Sequence, residues 1–128
     1  MKRGGILNPA INHLLASTGH TDYFTICDRG FPIPASQDRI DLALADDLPT
    51  VLDVIRLVDT EFVIDRIILA EEAESFSPGF VDELRAIRPD LRIETVPHLE
   101  LKRLSSRGRA TIRTGDTTPF ANILVISG

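Results

Sequence analysis

Six short apolar runs alternate along this chain with segments whose apolar residues recur every three or four positions, and this alternation limits the folds open to it. Tyr23 to Cys27, Ile40 to Leu44, Val63 to Ala70, Leu91 to Val96, Ala110 to Arg113 and Ala121 to Ile126 read as strands. Asn8-Pro9 opens a helix carrying Ile11, Leu14 and Leu15 that closes at Gly19, with an Asn cap and Pro in the first turn. Asp47 or Thr50 caps a second helix bearing Val51, Val54, Ile55 and Val58. Ser77-Pro78 opens a third with Phe80, Leu84 and Ile87, ended by Pro89, and Pro97-His98 opens a fourth that runs through Leu104. The pattern predicts an α/β fold, a three-layer sandwich with a central, mainly parallel but mixed sheet and helices on both faces. The last two strands are joined by a turn-rich loop without a helix, which allows them to pair antiparallel. With no linker, repeat or low-complexity tract, residues 1–128 read as a single domain.

Charge narrows the partners. A net charge of −5 argues against nucleic acid or an anionic membrane surface and favours a neutral or polar small molecule. Cys27, the one cysteine, falls inside a core strand, where a thiol behaves as a small hydrophobe and no internal disulfide can form. The cytosol is the expected compartment. Lys2 and Arg3 are not followed by the apolar stretch of a signal peptide, and no run approaches the roughly 18–20 apolar residues of a membrane span.

Several chemistries lack their residues. There is no G-x-G-x-x-G for a dinucleotide, no G-x-x-x-x-G-K-[ST] for a nucleotide phosphate and no G-x-S-x-G elbow for a nucleophilic serine. His20, Asp22, His98 and the Glu71-Glu72 pair have no metal-ligand spacing, and they come from separate elements. What remains is acid–base chemistry without a cofactor or metal.

Asp28 stands at the carboxyl end of the Tyr23–Cys27 run, where α/β sheets usually place their ligands. Asp is equally a turn former, through a bond to its own backbone two positions on. His20 precedes the same strand, and His98 begins a helix whose positive end favours a neutral ring able both to give and to take a proton. Either histidine can instead hold a loop through one hydrogen bond. Glu71 and Glu72 face a cleft or cap the next turn. The basic stretch Lys102, Arg103, Arg107 and Arg109 reads as a solvated face.

A set of motifs in fixed order goes further: Gly5 to Asn8, Gly19-His20-Thr21-Asp22, Asp28-x-Gly30-Phe31-Pro32-Ile33-Pro34, Ile40 to Leu44, Ala70-Glu71-Glu72, His98, Ile112 to Gly115, and Thr118 to Asn122. In these the chain resembles the D-ribose pyranase and L-fucose mutarotase family of cytosolic sugar mutarotases, its ribose branch more than its fucose branch. The resemblance implies pyranose–furanose interconversion of ribose or a related free monosaccharide. His20 would be the proton donor, with Asp28, His98, Phe120, Ala121 and Asn122 as sugar-binding residues. It also implies a homo-oligomer, a pentameric ring or a decamer, with sites near subunit contacts. The family pattern has Tyr where this chain has Phe120, which removes a hydroxyl and keeps the ring surface. A catalytically silent sugar-binding or regulatory module is the alternative, and a metal-dependent hydrolase or lyase using His20, Asp22 and His98 a third reading.

Overall fold

The computed structural model describes all of residues 1–128. Helix α1 (Pro9–Ser17) starts where the side chain of Asn8 accepts the N–H of Ile11 at 3.0 Å, and it stops at Thr18, one residue before the expected Gly19. Strand β1 (Tyr23–Cys27) follows. Strand β2 (Arg39–Asp41) is shorter than the alternating run suggested, because the Asp41 carboxylate accepts the N–H of Ala43 at 3.1 Å and turns the chain off the sheet. Of the two candidate caps, Thr50 starts α2 (Val51–Glu61). It forms a reciprocal capping box with Asp53, so two otherwise unpaired amides are satisfied.

Strand β3 (Ile64–Ala70) leads straight into α3 (Glu71–Phe76), a short helix that the sequence pattern did not suggest. Three carboxylates in its first turn suit the positive helix end, but six residues are too few to display a period. Then come α4 (Pro78–Ile87), β4 (Arg92–Val96), α5 (His98–Ser105), β5 (Thr111–Arg113) and β6 (Ile123–Ser127).

The sheet order is β2-β5-β1-β6-β3-β4. Five strands run in one direction and β6 alone opposes them, pairing antiparallel with both β1 and β3. The expected antiparallel pairing of the last two strands is therefore corrected: β5 and β6 lie on opposite sides of β1. Since strand side chains alternate between faces, β1 sends Phe24 and Ile26 one way and Thr25 and Cys27 the other. The first face carries the larger core, where α1, α2 and α4 bury Leu14, Ile55, Val58 and Leu84 against Ile67 and Ile123. Each such side chain contributes about 1.5–3 kcal/mol of burial. The second face is thinner, with α5 setting Leu101 against Cys27, Ala70 and Leu124. Helices on both faces of a mixed sheet make the predicted sandwich. No helix is long and apolar enough to cross a membrane.

Candidate active site

At the carboxyl end of β1 the chain opens into a cleft of about 320 Å³ lined by Asp28, Gly30, Phe31, Pro32, His98, Lys102, Pro119, Phe120 and Asn122. The antiparallel β6 explains this convergence, because its amino end lies where β1 and β3 have their carboxyl ends. The loop before β6, the loop after β1 and the start of α5 thus meet at one edge of the sheet.

Asp28 forms a turn and stands beside the cleft. One carboxylate oxygen accepts the N–H of Gly30 at 2.9 Å, forming a turn, while the residue also borders the cleft. Its backbone N–H donates to Asn122 Oδ1 at 2.9 Å, which joins the end of β1 to the start of β6. Burial raises the Asp28 carboxyl above the usual carboxylate range, against the pull of the Gly30 and Phe31 amides and the Asn122 side chain.

His98 is the first residue of α5. Its backbone N–H donates to both carboxylate oxygens of Glu72, at 3.1 and 3.0 Å, so Glu72 performs the capping that Pro97 has no side-chain group to perform. That decides between the two readings of Glu72. The imidazole meets Phe120 edge-on at 5.0 Å and Phe31 at 6.2 Å, and its buried Nδ1 has no protein partner. Burial first, then the Lys102 ammonium, lowers its pKa below the ordinary 6.5, with Glu72 and Asp28 opposing. The balance favours the neutral ring.

Phe120 sits at φ 60°, a left-handed conformation rare for an aromatic residue. The surrounding bonds hold it there: Ser77 Oγ donates to the Pro119 carbonyl at 2.6 Å and Asn122 N–H to the Phe120 carbonyl at 2.8 Å. Its ring continues the aromatic wall to Phe76, 5.3 Å away. Ala121 is fully buried and Asn122 is 1% exposed, so only the edge of the amide reaches the cleft. Buried Asp116 fixes the approach to this loop, its carboxylate accepting Val51 N–H at 2.9 Å and Thr118 N–H at 2.8 Å.

His20 lies elsewhere. It belongs to the turn before β1, where Asp22 N–H donates to the Gly19 carbonyl and Thr21 N–H to the Ser127 carbonyl, each at 3.1 Å. Ser127 ends β6, and Asn122 precedes its start, so His20 and Asn122 mark opposite ends of the same strands. The six steps from Asp22 to Asp28 at roughly 3.3 Å each put about 20 Å between the exposed imidazole and the cleft. This same split places His20 and Asp22 far from His98, and no three His, Cys, Asp or Glu side chains lie together in a metal-binding arrangement. Burial pushes the Cys27 thiol up to about 12, so it offers no thiolate near neutral pH.

Residues 1–128 match the RbsD / FucU transport protein family. This chain belongs to the RbsD / FucU family. A D-ribose pyranase of Geobacillus thermodenitrificans is 45% identical over 128 residues, covering 100% of this chain and 97% of that one. Among solved structures, Bacillus subtilis RbsD complexed with D-ribose superposes with a TM-score of 0.95 at 35% identity, covering 100% of this chain and 98% of that chain. The fucose mutarotase of Streptococcus pneumoniae, solved in complex with L-fucose, shares the fold with a TM-score of 0.85 at 19% identity and covers 100% and 98% of the two chains. In this RbsD / FucU member the cleft also contains Lys102 and Phe31, which sequence reasoning did not single out. The usable signal for Lys102 was its spacing of four from His98 on one helix, which a reading of the basic stretch as a uniform charged face concealed.

Proposed function

We propose that this chain is a sugar mutarotase of the D-ribose pyranase type, interconverting the pyranose and furanose forms of ribose or a related free monosaccharide. One observation carries the reading: residues 28, 98, 120 and 122, distant in sequence, converge on a single cleft with a carboxylate, an imidazole held toward its neutral form, an amide and an aromatic face, while Ala121 is buried behind it. The names of relatives at 38–45% identity and the ribose complex of a structural neighbour support the same substrate class.

Ring interconversion breaks the C–O bond between the anomeric carbon and the ring oxygen and forms one to a different hydroxyl oxygen, without redox change. A proton leaves the anomeric hydroxyl as another reaches the ring oxygen, and reclosure through a different hydroxyl reverses the exchange. Asp28 accepts from sugar hydroxyls, Asn122 and His98 orient the ring, and Phe120 stacks on its C–H face. A positioned acid–base group supplies ~10²–10⁴-fold in rate. His20 takes that role as proton donor, and since its own cleft lies a strand length away, it serves the cleft of a second copy. The enzyme is therefore a homo-oligomer whose site is complete only between subunits, and a closed ring of cytoplasmic subunits provides every cleft with such a neighbour.

Saturation-transfer NMR on D-ribose tests the function. The wild-type protein should accelerate pyranose–furanose exchange well above the buffer rate. Saturable ribose binding with exchange no faster than buffer would instead establish the silent sugar-binding module.

A further inference from the structure

Three residues other than glycine hold a positive φ: Thr21 at 69°, Asp47 at 58° and Phe120 at 60°. Asp adopts this left-handed conformation readily, whereas a β-branched or aromatic residue there is an outlier. Phe120 borders the cleft. Thr21 lies at the other end of the sheet, in the turn before β1, directly after the exposed His20. A glycine would take the same φ without strain, so the bonds around the turn are what keep a threonine in it.

Those bonds close on one carboxylate. Asp22 Oδ2 accepts the N–H of Gly19 at 3.0 Å while the Asp22 N–H donates back to the Gly19 carbonyl at 3.1 Å, so the residues flanking His20 and Thr21 are locked to each other. Arg109, 87 positions away, donates from Nη1 to the same oxygen at 3.1 Å, and its own N–H donates to the Tyr23 carbonyl at 2.8 Å. From β6, the Ser127 carbonyl accepts the Thr21 N–H at 3.1 Å and the Ser127 N–H donates to the Asp22 carbonyl at 2.9 Å. The His20 imidazole takes part in none of these bonds. The Asp22 and Arg109 side chains are 40% and 43% exposed, and an ion pair so placed adds little to stability.

We propose that Asp22, Arg109 and the strained Thr21 form a clamp that positions His20, directing its imidazole away from its own chain and into the cleft of a second copy. The inference rests on the mutarotase reading, with His20 as proton donor, and adds the residues that aim it. Proton transfer requires the donor within hydrogen-bond reach of a sugar oxygen, and an imidazole on a free turn would sample many directions. Asp22 and Arg109 are positioning residues, in contact with the turn rather than with the sugar.

The test separates aim from folding. Thr21→Gly relieves the strain and loosens the turn, so it should melt at or above the wild type while kcat for ribose exchange, measured by saturation-transfer NMR, falls about 10- to 100-fold. Arg109→Gln and Asp22→Ala should lower kcat in the same way. Asp22→Asn, which keeps an oxygen for the Gly19 N–H, should restore part of it. Ribose affinity by calorimetry should hold in all four, because the sugar-binding side chains lie at the opposite end of the strands. If Thr21→Gly, Arg109→Gln and Asp22→Ala exchange ribose at the wild-type rate while His20→Ala is slow, the clamp falls and His20 stands. Exchange lost only in step with melting temperature or oligomer size would make the turn a purely structural element and overturn the clamp as well. A His20→Ala protein with wild-type exchange removes the proton donor itself, and the clamp with it.

Discussion

The backbone N–H of Asp28 donates to the side-chain Oδ1 of Asn122 at 2.9 Å, across 94 positions of sequence. The bond couples two sugar-binding candidates through the backbone of one and the side chain of the other, so loss of the Asn122 amide disturbs the position of Asp28, whereas replacing the Asp28 side chain leaves the bond in place. It also closes the cleft on the side where β1 and β6 meet.

Asn122→Ala should therefore cost both stability and binding. The amide is almost fully buried, and its loss leaves the Asp28 N–H without an acceptor at a penalty of about 1–3 kcal/mol. Thermal melting should show the destabilisation, and calorimetry should show ribose affinity falling roughly 10-fold or more. Unchanged affinity in a folded variant would remove Asn122 from the binding set.

Asp28→Asn separates function from stability. The folded-state pKa of Asp28 is raised, so its contribution favours the fold at low pH and is lost as pH rises through the folded value. The ionised carboxylate is thus a burden near neutrality. Asp28→Asn, which keeps an oxygen for the Gly30 N–H, should melt above wild type at pH 7, and the difference should vanish below the unfolded carboxylate pKa of about 3.9. Ribose exchange should fall together with that gain, and the wild-type acid limb should lie above the usual carboxylate range.

His98 supplies an opposite signature. Its depressed pKa means that stability from the neutral ring is present above the ordinary 6.5 and is lost as pH falls through the folded value. An NMR titration of the ring protons should place its midpoint below 6.5, and ribose binding should move it. A midpoint at or above the ordinary value would contradict the burial of the imidazole between Phe31 and Phe120.

Sites shared between subunits can be recovered by mixing. His20→Ala alone should reduce exchange by ~10²–10⁴-fold, and Asp28→Asn should also be poorly active. Co-assembled from denatured or co-expressed chains, the two variants should regain part of the wild-type rate, because some clefts then combine an intact Asp28 with an intact His20. Two inactive variants that stay inactive in demonstrated mixed oligomers would confine the site to one chain and displace His20 from catalysis.

Phe120→Tyr adds one hydroxyl at the edge of the aromatic wall. With the loop held by Ser77 and Asn122, the ring stays in place beside the cleft. Ribose affinity should rise by about 0.5–1.5 kcal/mol, or roughly 2- to 10-fold, by calorimetry. A loss of affinity would mean that the cleft is shaped for a sugar without a partner at that position.

Local chemistry made much of the fold legible from sequence. Apolar periodicity marked the strands and four of the five helices, Asn8 marked one cap and Asp47 or Thr50 another, of which the structure uses Thr50, and Asp28 stood at a strand end because Gly30, Pro32 and Pro34 follow it. These signals lie within a few residues of the structure they specify. The tertiary structure alone decided that β6 inserts antiparallel between β1 and β3, since register depends on partners far away in the chain. It brought residues 28, 98 and 122 together, turned Glu72 into the cap of α5, and drew Lys102 out of a charged stretch into the cleft. It also separated His20 from that cleft, because a strand between two residues holds them apart by its own length, however close they stand in the sequence.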